Sequence, residues 1–368
     1  MRALKILHAA DLHLDSPFEG LGEGKAAQRR GEQRELLFRL AALAESEGVD
    51  MVLLAGDLLD SGSSYAETAE DISRALGGIS VPVFISPGNH DFYSARSPYA
   101  RIAFPENVHI FKSSVPECVS LPELGARVWG AAFTDKYSGG MLRGFAPDKT
   151  DGVRDIMCIH GEVGAASQYC PISENELAQS GMDYVALGHI HKESGLKCAG
   201  RTHYAWPGCP EGRGFDETGE KHVYIVSLDD GVSIKPVSIA RRRYEIIRVE
   251  LDGGDALDRI RGALPQDTKD DIYRIILRGE TEQAPRLNEL YDRLGDGFFA
   301  LQLRDETVLR RDVWESAGED SLRGQFIIRL KTALDNAKTE EERERITQAA
   351  RWGLAALDGR EEVLCHDN

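Results

Sequence analysis

The chain has 368 residues, 42% of them apolar, and a formal net charge of −17. Its length exceeds that of a usual single domain and its apolar share fills a sizeable core, while no apolar run approaches the ~18 residues of a membrane span. The charge counts against a non-specific nucleic-acid coat, because the average field repels phosphates; a site that carries its own metals or local basic groups escapes that argument.

Met1-Arg2-Ala3-Leu4-Lys5-Ile6-Leu7 runs straight into a strand pattern without the apolar stretch of a signal peptide. The six cysteines (Cys118, Cys158, Cys170, Cys198, Cys209 and Cys365) are scattered and form no CxxC pair. Reduced thiols in a cytoplasmic protein, with no membrane partner, are the expectation.

Short apolar runs predict strands at 5–10, 51–55, 81–85, 156–159 and 184–187. Between the first two, Leu36, Leu37, Leu40, Leu43 and Ala44 give 33–47 the 3.6-residue period of a helix packed on a sheet. Segments 222–228 and 232–239 read as a hairpin about Asp229-Asp230-Gly231. After the basic run Arg241-Arg242-Arg243, strands at 244–251, 272–277 and 298–303 alternate with helices around 257–264 and 287–294, a small β-α-β-α-β module. From Asp312 the chain turns helical. Phe326, Leu330, Ala333, Leu334 and Ala337 share one face, and a second helix starts at Thr339, where Glu342 completes a capping box, with Ile346, Ala350, Gly353 and Leu357 on its apolar side. Such a tail either packs on its own protein or docks on a partner. The expected domains are 1–240, 241–311 and 312–368.

Chemistry follows the strands. The first runs into Asp11-Leu12-His13, the second into Gly56-Asp57, the third into Gly88-Asn89-His90-Asp91, the fourth into His160-Gly161 and the fifth into Gly188-His189-Ile190-His191. Open α/β sheets gather their sites at the C-terminal strand ends. In extended chain the two outer residues of Asp-x-His or His-x-His point the same way, so each pair offers two ligands to one cluster. Each motif alone is ordinary turn or core chemistry; the succession of five is not. Asp11, His13, Asp57, Asn89, His160, His189 and His191, with or without His90, form a thiolate-free N/O set that suits Mn²⁺, Fe²⁺ or Zn²⁺. Seven ligands exceed one ion and suit two that share a bridging carboxylate, an arrangement used to hydrolyse phosphate esters. His8, His109, His222 and His366 read as structural, while His203, near Trp206-Pro207-Gly208, lies close enough in sequence to the loop to be a further candidate.

This ordered set resembles the calcineurin-like metallophosphoesterase superfamily. Within it, His189-Ile190-His191-Lys192 and the following small module resemble the Mre11/SbcD branch of DNA repair nucleases. The opening His8-Ala9-Ala10-Asp11-Leu12-His13-Leu14-Asp15-Ser16-Pro17-Phe18 is most similar to bacterial YhaO-type DNA repair exonuclease proteins. The resemblance covers about 1–240. It implies an α/β (α+β) fold: a two-sheet sandwich flanked by helices, with a small α+β capping domain and a C-terminal helical tail. It further implies one metal on Asp11, His13, Asp57 and His191 and a second on Asp57, Asn89, His160 and His189. His90 matches the family's non-ligand histidine, which contacts the scissile phosphate and protonates the leaving oxygen, with Asp91 orienting its ring.

The implied function is Mn-dependent DNA exonuclease or endonuclease activity in repair, with an SbcC/Rad50-like coiled-coil ATPase as partner; a homodimer is also compatible. The alternative keeps the metals and changes the substrate to small phosphodiesters, nucleotides or phosphoproteins. An inactive scaffold is disfavoured because no ligand position is lost. Two departures stand out: the capping module's strongest basic feature is only Arg241–Arg243, and the tail is short for an ATPase-docking segment.

Overall fold

The computed structural model describes residues 3–164, 167–252, 254–281, 284–309, 314 and 321–357. Parts of the expected tail, with Cys365 and His366, lie outside them. The chain divides into two compact units, Met1–Tyr244 and Glu245–Asn368.

In the first unit, β1 (Leu4–Ala9), β2 (Met51–Leu54), β3 (Val83–Ile85) and β4 (Val108–Ile110) run parallel. They are followed by β5 (Glu117–Leu121), β6 (Ala126–Gly130), β7 (Arg154–His160), and the short β8 (Glu162–Val163) and β9 (Pro171–Ile172). Then come β10 (Tyr184–Gly188), β11 (Lys197–Ala199), β12 (Thr202–Ala205) and the hairpin of β13 (Val223–Leu228) with β14 (Val232–Val237). Two six-stranded sheets result, ordered β14-β13-β1-β2-β3-β4 and β11-β12-β10-β7-β6-β5. The helices are α1 (Glu23–Glu47), α2 (Ala66–Gly77), α3 (Pro98–Arg101) and α4 (Glu174–Ser180).

Strand side chains alternate between two buried environments, which is why the sequence shows unbroken apolar runs. Leu4, Ile6, Met51, Leu53 and Phe84 of the first sheet face Val128, Ile156, Cys158, Tyr184 and Ala186 of the second. Their neighbours Leu7, Val52, Leu54, Val83 and Ile85 turn outward onto Leu36, Leu37, Leu40, Ile72 and Leu76 of α1 and α2. On the other side Met157, Ile159, Val185 and Leu187 pack with Leu177 of α4. The architecture is a sandwich of two sheets covered by helices.

Helix α1 begins at Glu23, ten residues before the predicted start. Apolar periodicity cannot reveal its first half, because the buried face there is Arg29, Glu32 and Gln33 with only the small Ala26 beside them. Arg29 Nη1 pairs with Glu32 Oε2 and with Glu211 Oε1, each at 2.7 Å, and Arg242 Nη2 reaches Glu32 Oε1 at 2.6 Å. Arg241 meets Glu35 at 3.3 Å and Arg243 meets Glu220 at 3.9 Å. The basic run expected to head the capping module therefore lies in the first unit, each arginine paired with an acid. Arg241 and Arg242 share Glu32, which Arg241 also approaches at 3.5 Å, and adjacent like charges are tolerated because an acidic helix face lies opposite them.

Glu32 supplies a stability test. Burial alone would raise its pKa, but its bonds to Arg242 and Arg29 outweigh this and hold it at about 2. A carboxylate depressed on folding contributes stability above its unfolded pKa, near ~4.3, and loses it as pH falls through the folded value. Glu32→Gln leaves buried guanidinium charge without its partner. In urea denaturation it is expected to cost about 3–5 kcal/mol at pH 7, with the deficit shrinking toward pH 2. An equal deficit at both pH values would show that the charge is not what matters.

In the second unit, β15 (Tyr244–Glu250), α5 (Ala256–Ala263), β16 (Ile272–Arg278), the short β17 (Glu280–Thr281), α6 (Leu287–Leu294), β18 (Ala300–Asp305) and β19 (Val308–Leu309) follow in order. The three long strands form a sheet ordered β15-β16-β18, and β17 pairs with β19. Two helices close the described chain, α7 (Leu322–Asn336) and α8 (Glu340–Leu357). Thr339 Oγ1 accepts from Glu342 N at 3.2 Å and Glu342 Oε2 accepts from Thr339 N at 3.3 Å, a reciprocal cap. Ile327, Ala350 and Leu354 pack together with Trp314, Phe326 and Leu330, while Arg351 donates to Asp305 at the end of β18 and to Thr307. The tail helices thus pack on each other and on their own unit, leaving Leu322, Ile328, Trp352 and Leu357 exposed. No helix among the described residues is long and apolar enough to cross a membrane.

Candidate metal centre

Pairing sets Ala9 opposite Leu54, Leu54 opposite Ile85, and Gly188 opposite His160. Strands in such register release their following residues at one edge. The loops there are strained and cross-braced. Asp11, His13, Asp57 and His189 take φ of 54°, 45°, 49° and 98°, a region that costs side-chain-bearing residues about 1–3 kcal/mol each and clusters at functional sites. His13 N donates to Asp57 O at 2.9 Å, His90 N to Asp57 Oδ1 at 2.9 Å, and His189 N to Asp11 Oδ1 at 3.0 Å. A Cβ on Gly88 would collide with the Asp57 carboxylate, and one on Gly188 with Ala55 O. These two glycines permit close approach.

Asp11, His13 and His191 place one ligand atom each within 4.8 Å of one another. His13 Nδ1 lies 3.0 Å from Asp60 Oδ1, and His191 Nδ1 lies 2.7 Å from Glu217 Oε1. A carboxylate accepts, so both Nδ1 atoms carry protons and both Nε2 atoms carry lone pairs. Those two Nε2 atoms face each other at 3.2 Å. Facing lone pairs repel unless a cation is shared, and two nitrogens on one ion with ~2.1 Å bonds stand ~3.0–3.4 Å apart.

The pattern repeats across Asp57. His160 Nδ1 donates to Ala55 O at 3.0 Å, which turns Nε2 toward Asn89 Oδ1 at 3.0 Å, and His189 Nδ1 lies 3.2 Å from the same oxygen. Asp57 Oδ2 stands 3.4 Å from His160 Nε2 and 3.7 Å from His13 Nε2, between the two clusters.

The charges agree. Burial by itself lowers His160, but the Asp57 and Asp11 carboxylates overcome it and push the imidazole up to about 9. Burial would raise Asp57, yet His160 and His13 hold it below the usual carboxylate range. Burial, with His160 beside it, lowers His189 to about 4. A divalent cation bound there would displace that proton, so its binding weakens as pH falls. The donor set fits two hard-to-borderline ions.

The family model described as calcineurin-like phosphoesterase matches residues 4–193. The chain belongs to that family. The uncharacterized metallophosphoesterase YhaO of Bacillus subtilis is 34% identical over 240 residues, 62% of this chain and 58% of that protein, so the match spans less than two thirds of the relative. The SbcD component of nuclease SbcCD of Bacillus subtilis is 28% identical over 275 residues, covering 62% of this chain and 67% of its own. DNA double-strand break repair protein Mre11 of Aeropyrum pernix is 26% identical over 284 residues, 71% of this chain and 67% of its own.

In this phosphoesterase the ring of His90 is exposed at the mouth of the centre, edge-on to His13 with ring centroids 4.8 Å apart. Its Nδ1 donates to the Asp60 backbone oxygen at 3.0 Å, which leaves Nε2 available. His90 also falls within ligand distance of His13 and Asp57. Asp91 is placed differently from the expectation that it orients His90. Its carboxylate accepts from Leu59 N and Gly88 N, both at 2.9 Å, and from Tyr99 OH at 2.6 Å. The two adjacent side chains leave this turn in different directions, His90 toward Asp60 O and Asp91 toward Leu59 N and Tyr99. Burial and the Asp57 charge push Asp91 up to about 6. Its work is to hold the turn.

Sequence reasoning passes over Asp60, Glu217 and Arg213. Asp60 follows Asp57 by three residues, and Glu217 sits in the polar loop Gly212-Arg213-Gly214-Phe215-Asp216-Glu217; neither carries a strand-end signal. His203 pairs in β12 opposite Tyr184 and Cys198 and joins none of the metal-capable groups among the described residues. His8 is buried against Tyr184 OH and Leu187 O, and burial lowers it to about 3, as befits a core histidine.

Proposed function

We propose that this chain is a two-metal phosphodiesterase acting on DNA, a Mn-dependent exonuclease or endonuclease of DNA repair. The observation that carries the reading is Asp57 Oδ2 set between two clusters of ligand atoms, near His13 Nε2 on one side and His160 Nε2 on the other. Asp11, His13, Asp57 and His191 would hold one ion, and Asp57, Asn89, His160 and His189 would hold the other. Fe and Zn suit the same donors. When bound, such a pair of ions supplies positive charge to the phosphoryl oxygens and lowers the pKa of water.

The remaining work belongs to side chains. Asn89 gives a neutral oxygen, which limits the negative charge facing an anionic substrate. His90, with Nδ1 committed to Asp60 O, carries its mobile proton at Nε2. As the P–O bond breaks, that proton passes to the leaving oxygen. Asp91, Gly88 and Tyr99 keep the His90 turn in place.

DNA as substrate is supported by the names of two relatives, a nuclease component and a double-strand break repair protein. The resemblance adds an SbcC/Rad50-like ATPase as partner, with the α+β module that follows the first unit as cap and 312–368 as the segment that meets it. Free cysteines among the described residues fit a cytoplasmic setting. The net charge of −17 favours a second reading, small phosphodiesters, nucleotides or phosphoproteins.

Purified protein supplied with Mn²⁺ is expected to degrade linear DNA, to stop on chelation and to slow with added salt as phosphate contacts release counterions. Cleavage of small diesters with no action on any DNA end assigns the chain to the second reading.

A further inference from the structure

The carboxylates behind the first cluster share one partner. Arg213 Nη1 donates to Asp60 Oδ1 at 3.0 Å and Nη2 to Glu217 Oε1 at 2.7 Å. Its Nε and its backbone N both reach Glu217 Oε2, at 3.2 and 2.8 Å. Nη2 also lies 3.1 Å from His191 Nδ1; both groups donate to the same Glu217 oxygen, which sets them side by side. The guanidinium thus ties together the two acceptors that receive the Nδ1 protons of His13 and His191. The Glu217 side chain is 5% exposed and that of Arg213 19%, so this clamp sits within the loop wall rather than in bulk water.

A planar fork fixes the separation and direction of the groups it binds, which a flexible ammonium does not. With Asp60 and Glu217 held apart by one rigid group, each imidazole has a single ring orientation that satisfies its Nδ1 proton, and that orientation aims its Nε2 at the other's. Among the described residues the second cluster shows no such guanidinium, and His160 is oriented by the main-chain oxygen of Ala55.

We propose that Arg213 is a positioning residue for the first cation site, setting the tautomer and aim of His13 and His191 through Asp60 and Glu217 and thereby the affinity of that site but not of the second. The proposal rests on the ligand assignment made under Proposed function, and it predicts which of two binding events a change at Arg213 alters.

The test is calorimetric titration of Mn²⁺ into the metal-free full chain. The wild type is expected to show two binding events. Arg213→Ala is expected to weaken one of them about 10–100-fold and leave the other unchanged, and Glu217→Gln to weaken the same event. Arg213→Lys keeps the charge without the fork and is expected to weaken that event too; it also decides the matter if Arg213→Ala fails to fold. Nitrogen-15 spectra of the histidines give a second readout: in the variants His13 and His191 lose their fixed Nδ1–H tautomer while His160 keeps its own. Unchanged binding events, or a loss spread equally over both events with His160 disturbed as well, overturn the proposal. A wild type that takes up no Mn²⁺ sinks the ligand assignment instead.

Discussion

Substitution of His90 by alanine is expected to lower turnover by about 10²–10⁴-fold, the range that general acid–base groups contribute, while the purified variant keeps both metals. The expectation follows from how the ring is held. Its Nδ1 proton is committed to Asp60 O, its ring is exposed, and its own backbone N–H supports the bridging carboxylate through Asp57 Oδ1. Alanine keeps that backbone bond, so the Asp57 geometry survives the loss of the ring. A ligand would behave differently, and His90 is near enough to His13 and Asp57 for the comparison to be a fair one. Metal analysis that finds the variant short of an ion places His90 among the ligands. Turnover within a few-fold of the wild type removes it from the chemistry. Either way, metal content and rate must be measured on the same preparation.

Asp57→Asn is expected to do more damage than any single change to another ligand. Asp57 Oδ2 serves both clusters, whereas Asn89 or His191 touches one. The amide preserves size and removes the charge that pushes His160 up to about 9. Both ions then face a cluster with one buried carboxylate instead of two. Metal content is expected to fall below one ion per chain. Turnover should drop by at least ~10³-fold, since the ions stabilise transition-state charge by several kcal/mol. A thermal melt of the metal-free variant checks that the fold remains, because Asp57 Oδ1 also receives the His90 N–H. Two retained ions with undiminished turnover would mean that Asp57 does not bridge.

The reach of the sequence is clearest at the strand ends. Apolar runs at 5–10, 51–55 and 184–187 are legible because a strand buried on both faces must be apolar throughout, and the residues after it leave the sheet at one edge. The extended-chain rule behind the expected pairs does not operate there, because Asp11, His13 and His189 take positive φ and His189 turns to Asn89 while His191 turns to His13. Local rules also place the hairpin about Asp229-Asp230-Gly231, and the Thr339–Glu342 cap appears in the structure as hydrogen bonds in both directions.

What the tertiary structure alone decides is who stands behind these residues. Asp60, Arg213 and Glu217 converge from two loops about 150 positions apart in the chain, and nothing local marks a carboxylate that orients an imidazole. The first half of α1 buries ion pairs instead of leucines, so hydrophobic periodicity passes it by. Arg241-Arg242-Arg243 reads as a basic patch until Glu32, Glu35 and Glu220 are seen opposite it. His90 and Asp91, adjacent in sequence, are separated by the turn they share. In each case the deciding quantity is a distance between residues far apart in the chain or a direction set by the backbone. Composition and spacing determine which groups are delivered to the edge of the sheets; only the folded chain determines which way their lone pairs point.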